Sequence, residues 1–241
     1  MTGETYLTAD EVTKTYGDVT AVSEVSLDIQ SDAVTGFIGP NGSGKTTLLR
    51  MLLGVERPTS GTVSYSGPDA ERQLGYLPQR PTFRPGFSVR ETAAFYADLV
   101  DDDPDRLLER VGLEEVAARP VSGLSGGMTR LLGIAQALAG DPPIVMLDEP
   151  ASGLDPAMSR LIFTIVESIA DAGRAVVLCS HELPLVEETA DRLAVLESGR
   201  LVRTGSVESL REQTGGPLHE TFTALLEQDR ATIAAPEGTQ P

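Results

Sequence analysis

Eight residues from Gly39 to Thr46, GPNGSGKT, fit the pattern G-x-x-x-x-G-K-[ST]. The chemistry of that pattern is phosphate binding. Gly42 and Gly44 let backbone N–H groups turn inward around phosphate oxygens without a side-chain clash. A helix starting near Lys45 aims its positive end at the same phosphates. Lys45 can reach the β- and γ-phosphates, and the Thr46 hydroxyl can ligate Mg2+. About a hundred residues further on, IVMLDEP sets Asp148 and Glu149 after four apolar residues, Ile144 to Leu147. A carboxylate at the C-terminal end of a buried strand can hold Mg2+ directly or through water, a role that falls to Asp148. Glu149 points elsewhere and is the candidate general base for an attacking water. These residues predict a Mg2+-dependent nucleoside triphosphatase.

Such groups need a scaffold that brings strand ends together. TYLTADEV, VSEVSLDIQ and AVTGFIG read as strands from their β-branched content and turn punctuation. KTTLLRMLLG reads as a helix that Gly54 ends, and GTVSYSG and QLGYLP as two more strands. From about 82 to 138 the pattern is helical, and Ser88 stands three residues before Glu91 at capping-box spacing. Strand and helix then alternate through PIVMLDEP, PAMSRLIFTIVESIADAG, RAVVLCSHE, LPLVEETAD and RLAVLESG. That alternation predicts an α/β fold, a mostly parallel sheet with covering helices, interrupted by a helical insertion. Residues 1–214 form the core, and 215–241 a tail with one short helix, LHETFTALLEQDR, before a disordered end.

Asp and Glu number 36 against 19 Lys and Arg, a net charge of −17, and only Lys14 and Lys45 are lysines. A nucleic-acid binder would carry a basic face, so nucleic acid is excluded as a partner. Spread-out acid with almost no lysine points to a halophilic protein. No apolar run approaches the ~18 residues of a membrane span, and no signal peptide is visible. The single cysteine, Cys179, fits a reducing, cytoplasmic setting.

One feature is not explained by a single phosphate pocket: LSGGMTR, residues 124–130, is a second glycine-rich helix start. With GPNGSGKTT, YLPQ, LSGGM, VMLDEP, SGLD and CSHE in this order, the chain resembles the ATP-binding subunits of ABC transporters over about residues 5–212. The resemblance implies a P-loop core with an N-terminal antiparallel β subdomain. It implies ATP and Mg2+ as cofactors, and nucleotide contacts along Gly39, Pro40, Asn41, Gly42, Ser43, Gly44, Lys45, Thr46 and Thr47. Tyr16 would stack on adenine. Gln79 would contact Mg2+ or the attacking water, and His181 would reach the γ-phosphate. Ser125, Gly126 and Gly127 of one subunit would face the γ-phosphate held by another copy or a homologous ATPase, with Asp155 on the same interface. A membrane permease would be the further partner, holding the chain at the inner face of the membrane.

Met128 stands where glutamine is frequent in this family, and Ala151 where threonine is; neither removes a group that touches phosphate or metal. LSGGM resembles the variant of exporter ATPases, so export is the leading reading. An importer ATPase and a soluble non-transport ATPase are the less favoured alternatives. Residues 75–99 and 176–206 also resemble the ATPase encoded with nitrous oxide reductase, which helps mature a copper site.

Overall fold

The computed structural model describes residues 3–214; the expected helix in LHETFTALLEQDR and the tail after it lie outside them. The chain opens with a hairpin of two long strands, β1 (Thr5–Tyr16) and β2 (Val19–Gln30). A fully buried strand, β3 (Ala33–Ile38), leads through the glycine loop into α1 (Lys45–Leu52). β4 (Ser60–Tyr65) and β5 (Leu74–Leu77) follow, then α2 (Val89–Ala97), α3 (Pro104–Glu109) and α4 (Gly126–Leu138). The remaining elements are β6 (Ile144–Asp148), α5 (Pro156–Asp171), β7 (Ala175–Cys179), α6 (Leu183–Thr189), β8 (Arg192–Glu197), β9 (Arg200–Ser206) and α7 (Val207–Thr214).

Among the described residues, the strands form two sheets. One is antiparallel, in the order β2-β1-β4. The other runs β5-β6-β7-β3-β8-β9 and is parallel except for the β8–β9 pair. Every residue of β3, β6 and β7 is buried. Continuous apolar runs are what a parallel strand needs when helices cover both its faces. Ile144 and Met146 join one core with Leu48, Leu49 and the antiparallel sheet; Val145 and Leu147 join the other with Ile162, Val166 and the helices after β5. Helix α1 is thus held between the two sheets, and the glycine loop at its start cannot drift.

The helices sit where their caps allow. Ser88 and Glu91 form a reciprocal capping box on α2. Asp155 caps α5 by accepting from the N–H groups of Ala157 at 3.0 Å and Met158 at 3.1 Å. The strand expected from RLAVLESG continues into a hairpin with β9. Its turn, Ser198 and Gly199, has φ of 47° and 80°, the primed geometry that suits tight hairpins. Among the described residues, no helix is long and apolar enough to cross a membrane.

Candidate active site

The C-terminal ends of β3, β6 and β7 converge on the glycine loop, where ligands sit in an open α/β sheet. Gly39 has φ 150°, and a Cβ there would lie 2.1 Å from the Leu196 carbonyl oxygen. Gly44 caps α1 at φ 99°, where a Cβ would lie 2.5 Å from the Ala21 oxygen. Both positions demand glycine. The Lys45 ammonium is buried and donates to the carbonyls of Gly39 at 2.7 Å and Pro40 at 3.0 Å. The Ser43 hydroxyl is buried beneath the loop. A cleft of about 300 Å³ opens above, lined by Asn41, Gly42, Gly44, Lys45, Thr46 and Thr47, together with Ala21, Gln79 and Glu149.

Asp148 lies 3% exposed at the end of β6, and the Thr46 hydroxyl donates to its Oδ1 at 3.3 Å. Burial, then the neighbouring Glu149, push its pKa up, while Thr46, Arg50 and Lys45 pull it back. Glu149 adopts φ 51°, the left-handed region that non-glycine residues occupy at a cost of about 1–3 kcal/mol. Its N–H donates to the Cys179 carbonyl at 2.9 Å, which pins the turn. The turn sends its carboxylate away from that of Asp148: Glu149 Oε2 lies 2.7 Å from Nδ1 of His181, a residue with its side chain 55% exposed. The site therefore pairs a carboxylate with an imidazole at the mouth of the cleft.

A hydroxyl (Thr46), a carboxylate (Asp148) and an amide (Gln79) are hard oxygen donors, which suit Mg2+ together with phosphate oxygens. Among the described residues there is no group of three or more His, Cys, Asp or Glu that could hold a metal by itself. A site completed by phosphate fits that donor set.

Two sequence-predicted groups lie at the border of the cleft or beyond it: Tyr16 at the border, its hydroxyl beside the Thr47 side chain, and the Ser125–Gly127 stretch outside it. Tyr16 ends β1, 47% exposed, with its hydroxyl donating to Glu56 Oε1 at 2.5 Å. Ser125 and Gly126 are exposed at the start of α4, where the Ser125 hydroxyl accepts from the Met128 N–H at 3.2 Å. Gly127 is buried, and a Cβ on it would lie 2.6 Å from Met158 Cγ. That close approach sets the N-terminus of α4 beside that of α5, so Ser125 and Asp155 belong to one exposed edge.

Residues 22–152 match the ABC transporter family. The Nod factor export ATP-binding protein I of Cupriavidus metallidurans is 36% identical, over 90% of this chain and 80% of that one. The chain belongs to the ABC transporter ATP-binding family. The methionine import ATP-binding protein MetN of Geobacillus kaustophilus is 35% identical to this ABC ATPase, over 95% of this chain and 74% of that one. Among solved structures, the ATP-binding subunit of an ABC transporter superposes with a TM-score of 0.81 at 24% identity, covering 92% of this chain and 99% of that one. A dimeric ATP-binding cassette in a post-hydrolysis state, bound to ADP and Pi, superposes with a TM-score of 0.73 at 25% identity, covering 83% and 98%. The chain is an ATP-binding subunit of a transporter, with ATP hydrolysis as its activity.

Sequence reasoning did not find one residue of this ABC ATPase's site. Arg130, 9% exposed on α4, donates from Nη1 to the Gln79 carbonyl and, at 3.4 Å, to that of Pro78. It fixes the backbone of the residue that lines the cleft from the helical side. The one available signal was a lone arginine on the apolar face of a helix.

Proposed function

We propose that this ABC ATPase hydrolyses ATP with Mg2+ and energises an exporter, through head-to-tail closure of two copies over the nucleotide. The observation that carries closure is the split of the nucleotide-binding candidates into two sets. Lys45, Thr46, Gln79, Asp148 and Glu149 gather at one cleft, while Ser125, Gly126 and Asp155 lie on a separate exposed edge. A helix start with open N–H groups suits a phosphate. Since its own chain's cleft does not include it, a second copy's phosphate is the natural partner. ATP then favours the closed pair and hydrolysis releases it.

Within the cleft, Lys45 exchanges the Gly39 and Pro40 carbonyls for phosphate oxygens. Thr46, Asp148 and Gln79 would hold Mg2+, which would supply charge neutralisation at the transferred phosphate. Glu149 takes the proton of the attacking water. His181 holds the Glu149 carboxylate through Nδ1 and keeps Nε2 for the γ-phosphate. Tyr16 carries the base.

Export is favoured by LSGGM and by the likeness to the Nod factor export protein; the likeness to MetN supports the importer reading in the same way. Copper-site maturation rests on the two stretches of sequence given above. The acidic excess supports a halophilic protein held at the membrane by a permease. Purification from native membrane in mild detergent and high salt, with co-purifying proteins identified by mass spectrometry, separates these readings. A polytopic permease without a substrate-binding lipoprotein is expected. A lipoprotein in the complex would overturn export, and a copper-binding protein encoded beside this chain would replace it with maturation.

A further inference from the structure

Of the two lysines in the chain, one is Lys45 in the phosphate loop and the other, Lys14, stands two residues before Tyr16 on β1. Every other basic residue is arginine. The Lys14 ammonium lies 5.2 Å from the centre of the Tyr16 ring, 3.1 Å from Glu56 Oε1 and 2.8 Å from the Arg57 carbonyl. Glu56 Oε1 also accepts the Tyr16 hydroxyl at 2.5 Å. The side chains of Lys14 and Glu56 are only 17% and 19% exposed, well covered for a charged pair on a strand end. The segment carrying Glu56 is itself fixed. The Glu56 N–H donates to the Arg50 carbonyl of α1 at 3.1 Å, and the Thr59 N–H to that of Thr13 at 2.7 Å. One small network therefore joins the end of β1 to the helix of the phosphate loop.

We infer that Lys14 and Glu56 are positioning residues for nucleotide binding: they clamp the Tyr16 ring by its hydroxyl and one face, so that its exposed surface is set for the base before nucleotide arrives. This rests on the reading that Tyr16 stacks on the base. A compact ammonium can serve a carboxylate, a carbonyl and a ring face at once, whereas a flat guanidinium presents its donors in one plane. That explains lysine at this position in a chain that otherwise uses arginine. The charges cooperate as well. The shared hydrogen bond keeps the Tyr16 phenol protonated and lowers the Glu56 carboxyl, so the donor and acceptor roles hold across the neutral range. Locking an aromatic ring beforehand removes an ordering cost from binding.

The test compares ATP with inorganic tripolyphosphate, which has phosphates and no base. KM for ATP, kcat, and the inhibition constant of tripolyphosphate are measured on the full chain for wild type, Glu56→Ala, Glu56→Gln, Lys14→Met and Tyr16→Ala. Glu56→Ala and Lys14→Met should raise KM for ATP about two- to twelvefold, the range for ordering one side chain. Their kcat and tripolyphosphate constants should stay within twofold of wild type, and Glu56→Gln, which still accepts the hydroxyl, should recover part of the loss. Glu56→Ala combined with Tyr16→Ala should be no worse than Tyr16→Ala alone. If Tyr16→Ala raises KM while Glu56→Ala and Lys14→Met do not, the clamp is wrong and base stacking stands. If Tyr16→Ala itself leaves KM unchanged, the underlying reading fails. Weakening of tripolyphosphate by the clamp variants would show general damage to the fold and overturn the inference.

Discussion

Replacing Arg130 with methionine keeps an unbranched apolar stem on α4 and removes the donor to the Gln79 carbonyl. A buried hydrogen bond from a charged group is worth about 1.5–3 kcal/mol. The second contact, 3.4 Å to Pro78, is too long to add much. Opposing this, burial of the guanidinium is unfavourable enough to lower its pKa, and methionine removes that penalty. The net loss should be about 1–2 kcal/mol, smaller than the bond alone. For a domain of this size each kcal/mol moves Tm by about 2–4 °C, so a drop of about 2–8 °C is expected. Almost every molecule is still folded at 25 °C after such a loss. Any large change in turnover must then come from the site itself, through the freed backbone at Gln79 or the lost positive charge facing Asp148 and Glu149. Calorimetry gives the first quantity, and ATPase rates against Mg2+ concentration the second. Arg130→Met should raise the Mg2+ needed for half-maximal rate and lower kcat about tenfold or more, as misplacement of a site group by an ångström does. A normal Mg2+ profile and kcat beside a lowered Tm would leave Arg130 as a strut and refute the link to Gln79.

The buried Asp148 gives a pH-dependent prediction. Its folded pKa is raised, so its contribution favours folding at low pH and is lost as pH rises through that value. At pH 7 the buried charge opposes folding, and Asp148→Asn should raise Tm there, with the gain shrinking towards about pH 4. The same variant should lose Mg2+-dependent hydrolysis; a lower Tm at pH 7 would contradict the assignment of burial as the dominant cause. The 36 acidic residues against 19 basic ones predict a Tm that climbs from dilute buffer to molar KCl. Melting that ignores salt would end the halophile reading.

The fold and the phosphate loop were legible because their signals are local. Gly39, Gly44 and Lys45 lie within seven consecutive residues, and backbone geometry fixes the two glycines. Fully buried β6 and β7 announce themselves as apolar runs, IVML and AVVLC, and in β3 only Thr35 interrupts the run. The β9 strand was not legible, since it is an edge strand whose burial pattern barely alternates. What pairs across the sequence was not legible either. Arg130 meets Gln79 across 51 positions, Glu149 meets His181 across 32, and Tyr16 meets Glu56 across 40. The strand-end position singled out Glu149, and the resemblance His181 and Tyr16; neither carried a sign that Glu149 and His181 touch. Spacing also could not divide the work of LSGG, where Ser125 caps a helix and Gly127 admits Met158 while Gly126 stays open.

Size-exclusion chromatography of Glu149→Gln, with and without Mg2+ and ATP, alongside its ATPase rate, tests the central claim directly. The account predicts no turnover and a dimer that forms only with ATP, because the binding groups of both copies persist while the base is gone. Hydrolysis at the unmutated rate, or a monomer at saturating ATP, would contradict it.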